Sequence, residues 1–127
     1  MLINDIPRIM VTCLLITIII EVIFALLFKV RDKKDILNVI LANIITNPVV
    51  VILPHYISFN YGFKLYDIVL LILEILAVIV EGFIYHKYLK YKKINPYLLS
   101  LLLNLLSYFI GDIYWRLVWK KVYRFYY

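Results

Sequence analysis

Leu14-Leu15-Ile16-Thr17-Ile18-Ile19-Ile20-Glu21-Val22-Ile23-Phe24 decides the fold class of this chain. The apolar run around it extends from Ile9 to Phe28. About 20 helical residues cross the roughly 30 Å of hydrocarbon in a bilayer. Glu21 interrupts this run. A carboxylate at membrane depth is expensive unless it is paired, protonated or wetted. The pattern recurs from Ile68 to Val80, where Glu74 interrupts the run and Glu81 follows it.

Working outward, the sequence predicts spans over 9–28, 36–59, 65–86 and 97–119. Pro48 and Pro54 fall inside the second. The chain has 127 residues, 65% of them hydrophobic, and a mean hydropathy of +0.94. Globular chains run nearer half apolar. The expectation is an all-α polytopic membrane protein, one transmembrane domain over 1–127. The first stretch is too long for a signal-peptide core and ends in Lys29-Val30-Arg31-Asp32-Lys33-Lys34, so it is read as a retained helix. The lone Cys13 supports neither a disulfide framework nor a thiolate metal site.

The net charge of +6 sits mostly at helix ends. Basic flanks set topology and touch anionic lipid, so the bilayer is the expected partner and nucleic acid is not. The loops at 29–35 and 86–95 carry eight Lys and Arg, and the opposite side carries six. Around the first helix the bias is four against one. Both basic loops are therefore placed on the cytoplasmic side of a prokaryotic plasma membrane. Tyr56, Phe59, Tyr61 and Phe63, with Tyr114, Trp115, Trp119, Tyr123, Phe125, Tyr126 and Tyr127, read as an interfacial aromatic belt.

A repeat emerges on self-comparison. A shift of 60 lays Glu21 on Glu81. A shift of 61 lays Asn43 on Asn104 and Thr46 on Ser107. Each half reads as a Glu-bearing helix, a basic loop and a helix carrying Asn-x-x-Thr/Ser. Two tandem hairpins in parallel orientation follow, related by a pseudo-two-fold along the membrane normal. Counting from the basic loops places both Glu and both Asn about 12 Å below that surface, as one polar layer with Thr46 and Ser107. Glu74 lies two turns before Glu81 on the same helix face and has no repeat mate.

The layer has two readings. A neutral carboxyl donating to the side-chain oxygen of Asn43 or Asn104 would glue the bundle. Ionisable groups at membrane depth also mark ion pathways. Asn43-Ile44-Ile45-Thr46-Asn47-Pro48 is the most distinctive hexamer, because Pro48 frees the carbonyl of Ile44 and kinks the helix. Asn47 and Thr46 stand ready to satisfy such a group or to present it. Hard oxygens of this kind suit protons, Na⁺ or hard divalent ions. His55 and His86 read as interfacial, Asp67 as a first-turn acid, and Asp112 with Arg116 as an i,i+4 ion pair. Gly82 and Gly111 permit close helix approach.

No Gly-rich phosphate loop, Gly-x-Ser-x-Gly, Cys/His cluster or His-Glu-x-x-His occurs. The paired-Glu and His motifs of glutamyl intramembrane proteases are also missing. An enzyme is the third reading, and no cofactor is expected.

Glu21, Asn43-x-x-Thr46-x-Pro48, Glu74, Glu81 and Asn104-x-x-Ser107 together resemble a group of small four-helix prokaryotic membrane proteins. The resemblance spans most of the chain and implies the fold without an activity. Length and helix count are also similar to small multidrug and fluoride exporters. Their Gly-rich and Phe-box signatures are absent, so neither function is carried over.

The first expectation for function is a cation- or proton-coupled transporter or channel subunit. In it Glu21, Glu81 and Glu74, with Asn43, Asn104, Thr46, Ser107 and Asn47, handle the ion. The second is a non-transporting accessory or scaffold subunit of a larger membrane complex. Four thin helices enclose little volume, so a homodimer or a larger membrane partner is expected.

Overall fold

A computed structural model describes the backbone of residues 6–126 and the side chains of residues 7–118. The four helices are α1 (Ile6–Leu27), α2 (Lys33–Tyr61), α3 (Leu65–Tyr88) and α4 (Pro96–Tyr126). Each is long and apolar enough to cross a membrane. They make an all-helical, multi-pass membrane protein.

The helix starts follow local chemistry. Asp32 has extended backbone and its side chain accepts from the Lys34 N–H at 2.8 Å, which starts α2 three residues ahead of the expected 36. Asn95 accepts from the Tyr97 N–H at 2.9 Å, and Pro96 occupies the first helical position, where no N–H is needed. α1 ends on Lys29 in the left-handed region, φ 71°, and the Val30 N–H reaches back to the Ala25 carbonyl at 2.9 Å. α4 extends past the expected end at 119. The side chains of Trp119, Tyr123, Phe125, Tyr126 and Tyr127, which the sequence assigns to the aromatic belt, lie outside the described ones.

α2 is one continuous helix through Pro48 and Pro54. Each proline removes a backbone donor from the ladder. Short side chains take up other carbonyls along it. Thr46 Oγ1 lies 3.0 Å from the Ala42 carbonyl, and Ser58 Oγ donates to the His55 carbonyl at 2.9 Å.

The helices pack in a closed ring, α1 on α2, α2 on α3, α3 on α4 and α4 on α1. The ring is polar inside and apolar outside. Leu15, Ile19, Ile23, Ile45, Leu71, Ile75 and Ile79 are exposed, while Glu21, Asn43, Thr46, Glu81, Asn104 and Ser107 are buried. Water would not tolerate that arrangement, whereas hydrocarbon requires it. Gly82 lets two helices close up as expected, whereas Gly111 has open space where a Cβ would stand. A Cβ on Gly82 would stand 2.4 Å from Tyr97 Cδ1, so the Tyr97 ring on α4 lies directly against the α3 backbone.

One end of the ring is sealed. Ala25, Val30, Val39, Ala42, Tyr85, Leu89, Leu99 and Leu103 fill it. The carboxylate of Asp35, 2% exposed in the first turn of α2, accepts the backbone N–H groups of Lys90 and Tyr91 at 3.0 Å each. Tyr91 OH then donates to the Phe28 carbonyl at 2.7 Å. The two basic loops are thereby bound to each other across the bundle end.

Candidate functional site

Every helix contributes to one buried polar layer. α1 supplies Glu21, 0% exposed, and α3 supplies Glu81, 1% exposed. Glu21 accepts from Asn43 Nδ2 through one oxygen and from Ser107 Oγ, at 3.2 Å, through the other. Glu81 accepts from Thr46 Oγ1 at 2.5 Å through one oxygen and from Asn104 Nδ2 at 2.6 Å through the other. Thus α2 and α4 each hold both glutamates: Asn43 and Thr46 from one, Asn104 and Ser107 from the other. Each hydroxyl comes three positions after its amide, so both face one side of the helix.

The direction of these bonds corrects one expectation. The sequence reading has a carboxyl donating to an Asn oxygen, but both amides present nitrogen. The reason is a double duty. Asn43 Nδ2 also donates to the Val39 carbonyl at 3.0 Å, and Asn104 Nδ2 to the Ser100 carbonyl at 2.8 Å. Only the two-hydrogen nitrogen can serve a backbone carbonyl and a glutamate together.

Asn47 stands beside this layer. Its Nδ2 donates to Thr17 Oγ1 at 3.3 Å, and its Oδ1 is buried without a hydrogen-bond partner among the described residues. A small cavity of about 50 Å³ touches Asn43, Thr46, Asn47, Glu74, Glu81 and Ser107. Above it, away from the sealed end, opens a larger cavity of about 410 Å³. α1 lines it with Cys13 and Thr17, and α2 with Asn47 and His55. Tyr66, Asp67 and Glu74 of α3, with Tyr108, Asp112 and Trp115 of α4, complete it. Glu74 is partly buried, lines both cavities, and makes no hydrogen bond or ion pair among the described residues.

The remaining predicted residues are placed as follows. Pro48 is half-buried in the continuous α2. Asp112 pairs with Arg116 Nε at 3.1 Å, on an exposed face. Asp67 lies in the first turn of α3. His55 packs edge-on against Tyr66 at 5.1 Å and its Nδ1 lies 2.7 Å from the Val51 carbonyl. No group of three His, Cys, Asp or Glu converges on a metal position among the described residues. The oxygens on offer at the layer are two carboxyls and two hydroxyls, which suit a proton or a hard monovalent ion.

Two features escape sequence reasoning. Asp35 reads as one more charge in a basic loop, although a carboxylate three residues after an N-cap aspartate is a recognisable surplus. Tyr85 is fully buried and its OH has no hydrogen-bond partner among the described residues. It stands one turn beyond Glu81 toward the sealed end. A tyrosine four residues after a buried glutamate was the available signal.

The class defined by these observations is a multi-pass, all-helical membrane protein with a buried carboxyl–amide layer under an open cavity. No family model, curated protein or solved structure matches the chain.

Proposed function

We propose that this protein is a small cation- or proton-coupled transporter or channel subunit, with Glu21 and Glu81 as the ion-binding groups. Asn43, Asn104, Thr46 and Ser107 position them, and Glu74 and Asn47 line the approach. The carrying observation is the pair of adjoining cavities that run from one bundle end past Glu74 to Glu81, with an apolar seal beyond. An adhesive polar layer needs no such approach. A one-sided cavity is what an ion site with alternating access presents. The burial of both glutamates denies a foreign helix any access to them, which weighs for transport over the accessory role.

The tandem repeat belongs to this reading. Glu21–Asn43 and Glu81–Asn104 join the helices of one hairpin, while Glu21–Ser107 and Glu81–Thr46 join the two hairpins. Exchanging the hairpins maps this set of bonds onto itself, as a two-fold along the membrane normal requires. With the basic loops cytoplasmic in a prokaryotic plasma membrane, the cavity opens outward and the sealed end faces in.

Reconstitution in liposomes with an imposed proton or Na⁺ gradient tests the function. Glu21→Ala and Glu81→Ala should insert, fold and lose flux. Unchanged flux with a large drop in unfolding temperature would reject transport in favour of a structural layer.

A further inference from the structure

A second cavity, about 510 Å³, opens between α3 and α4. Its walls are mostly hydrocarbon, Leu71, Ile75, Val78, Ile79, Leu101 and Leu105, with Asn104 of the polar layer at its inner side. Leu71, Ile75 and Ile79 are among the exposed residues on the bilayer-facing side of the bundle. This lateral groove and the axial cavity share Asp67, Leu70, Glu74 and Tyr108. Glu74 therefore stands at a window between the bundle interior and the surrounding lipid.

Charge sets what this window accepts. Among the described residues no Lys or Arg lines either cavity, although the chain carries a net +6, and Arg116 meets the axial one only through its ion pair with Asp112. Glu74 is partly buried and no described residue offers it a hydrogen bond or a cation. A half-desolvated carboxylate gains from a counter-charge. Tyr66, Tyr108 and Trp115 surround the axial side with aromatic surface, which adds attraction for a positive head without strong hydration. The groove offers room and hydrocarbon contact for a tail.

We propose that the joined cavities bind an amphipathic organic monocation, with its ammonium head against Glu74 and its hydrocarbon tail lying out between α3 and α4. The binding stands on the cavities alone; only the fate of the bound molecule rests on the transport reading. Two sources share the ammonium head and hydrocarbon tail, a zwitterionic amine-bearing lipid of the bilayer, whose phosphate would have to stay in the headgroup layer, and a free cationic amphiphile.

Tritiated dodecyltrimethylammonium, measured on the whole protein in phosphatidylglycerol nanodiscs against empty discs, tests it. Saturable binding is expected, with at least tenfold weakening in Glu74→Gln. Tetramethylammonium, a head without a tail, should compete at least tenfold less well. Leu105→Trp, which fills the groove, should weaken the tailed probe and leave tetramethylammonium competition unchanged. Asp67→Asn, at an exposed position, gives a second reading of charge if Glu74→Gln folds poorly, and should also weaken binding. Equal binding in the charge variants, or equal competition by the tailless cation, would overturn the proposal. Phosphatidylethanolamine in the discs should displace the probe if the source is lipid; undiminished binding assigns the site to a free amphiphile. Ion flux of the unsubstituted protein in liposomes, measured beside its probe binding, separates the two readings. Binding without any flux removes transport and leaves this site standing, and flux without binding removes the site alone.

Discussion

Thr46 of α2 donates to Glu81 of α3 at 2.5 Å, and that bond crosses from the first hairpin to the second. Ser107–Glu21, at 3.2 Å, is its longer counterpart. These two hydroxyls hold the ring together at the level of the glutamates.

Thr46→Val should lower the unfolding free energy by about 1–3 kcal/mol, because Glu81 keeps a buried oxygen with no donor. Ser107→Ala should cost less, since its bond is longer. Denaturant or thermal unfolding in detergent measures both. A double-mutant cycle of Thr46→Val with Glu81→Ala should return a coupling of about 0.5–3 kcal/mol. A coupling near zero would mean that the contact does not contribute.

Asp35→Ala should loosen the sealed end without disturbing the glutamate layer. Two backbone N–H groups, on Lys90 and Tyr91, lose their acceptor. Trypsin cleavage after Lys90, Lys92 and Lys93 should become several-fold faster. Cleavage at the wild-type rate would show that Tyr91 and Phe28 hold the loop unaided.

Gly82→Ala should destabilise by about 1–3 kcal/mol, as overpacking does. The added methyl meets the Tyr97 ring, and Tyr97→Ala should recover most of the loss. Unfolding of the single and double variants checks this; a loss that persists without the Tyr97 ring contradicts the packing account.

Lys29→Gly should stabilise by about 1 kcal/mol. Lys29 holds a positive φ of 71° to let α1 stop, and glycine adopts that region without the Cβ penalty. Lower stability would mean that the Lys29 side chain contributes more than its backbone costs.

The helices were legible because hydrophobic length alone demands them. That Glu21, Asn43, Thr46, Glu81, Asn104 and Ser107 are buried in one layer was legible too, since polar residues are scarce in these runs and stand out. The bond directions were not, because they hinge on a backbone carbonyl four residues upstream of each asparagine. The Asp35 clamp was hidden for a related reason: its partners are backbone N–H groups 55 and 56 residues away, and a backbone donor leaves no mark in sequence. The axial cavity was least visible. It is a space left by side chains from four separate helices, and His55, Tyr66 and Asp112 each have an ordinary reading when taken alone.

The crossed bonds carry a consequence for counting. If one hairpin tilts against the other, each asparagine travels with the glutamate of its own hairpin. The bonds that stretch are Thr46–Glu81 and Ser107–Glu21, and they stretch in the same movement. Each glutamate would surrender one donor and keep one, at the same moment as its counterpart. Acceptor oxygens would then come free in twos, so uptake by such a device would be cooperative, with a Hill coefficient above one and an even stoichiometry per cycle.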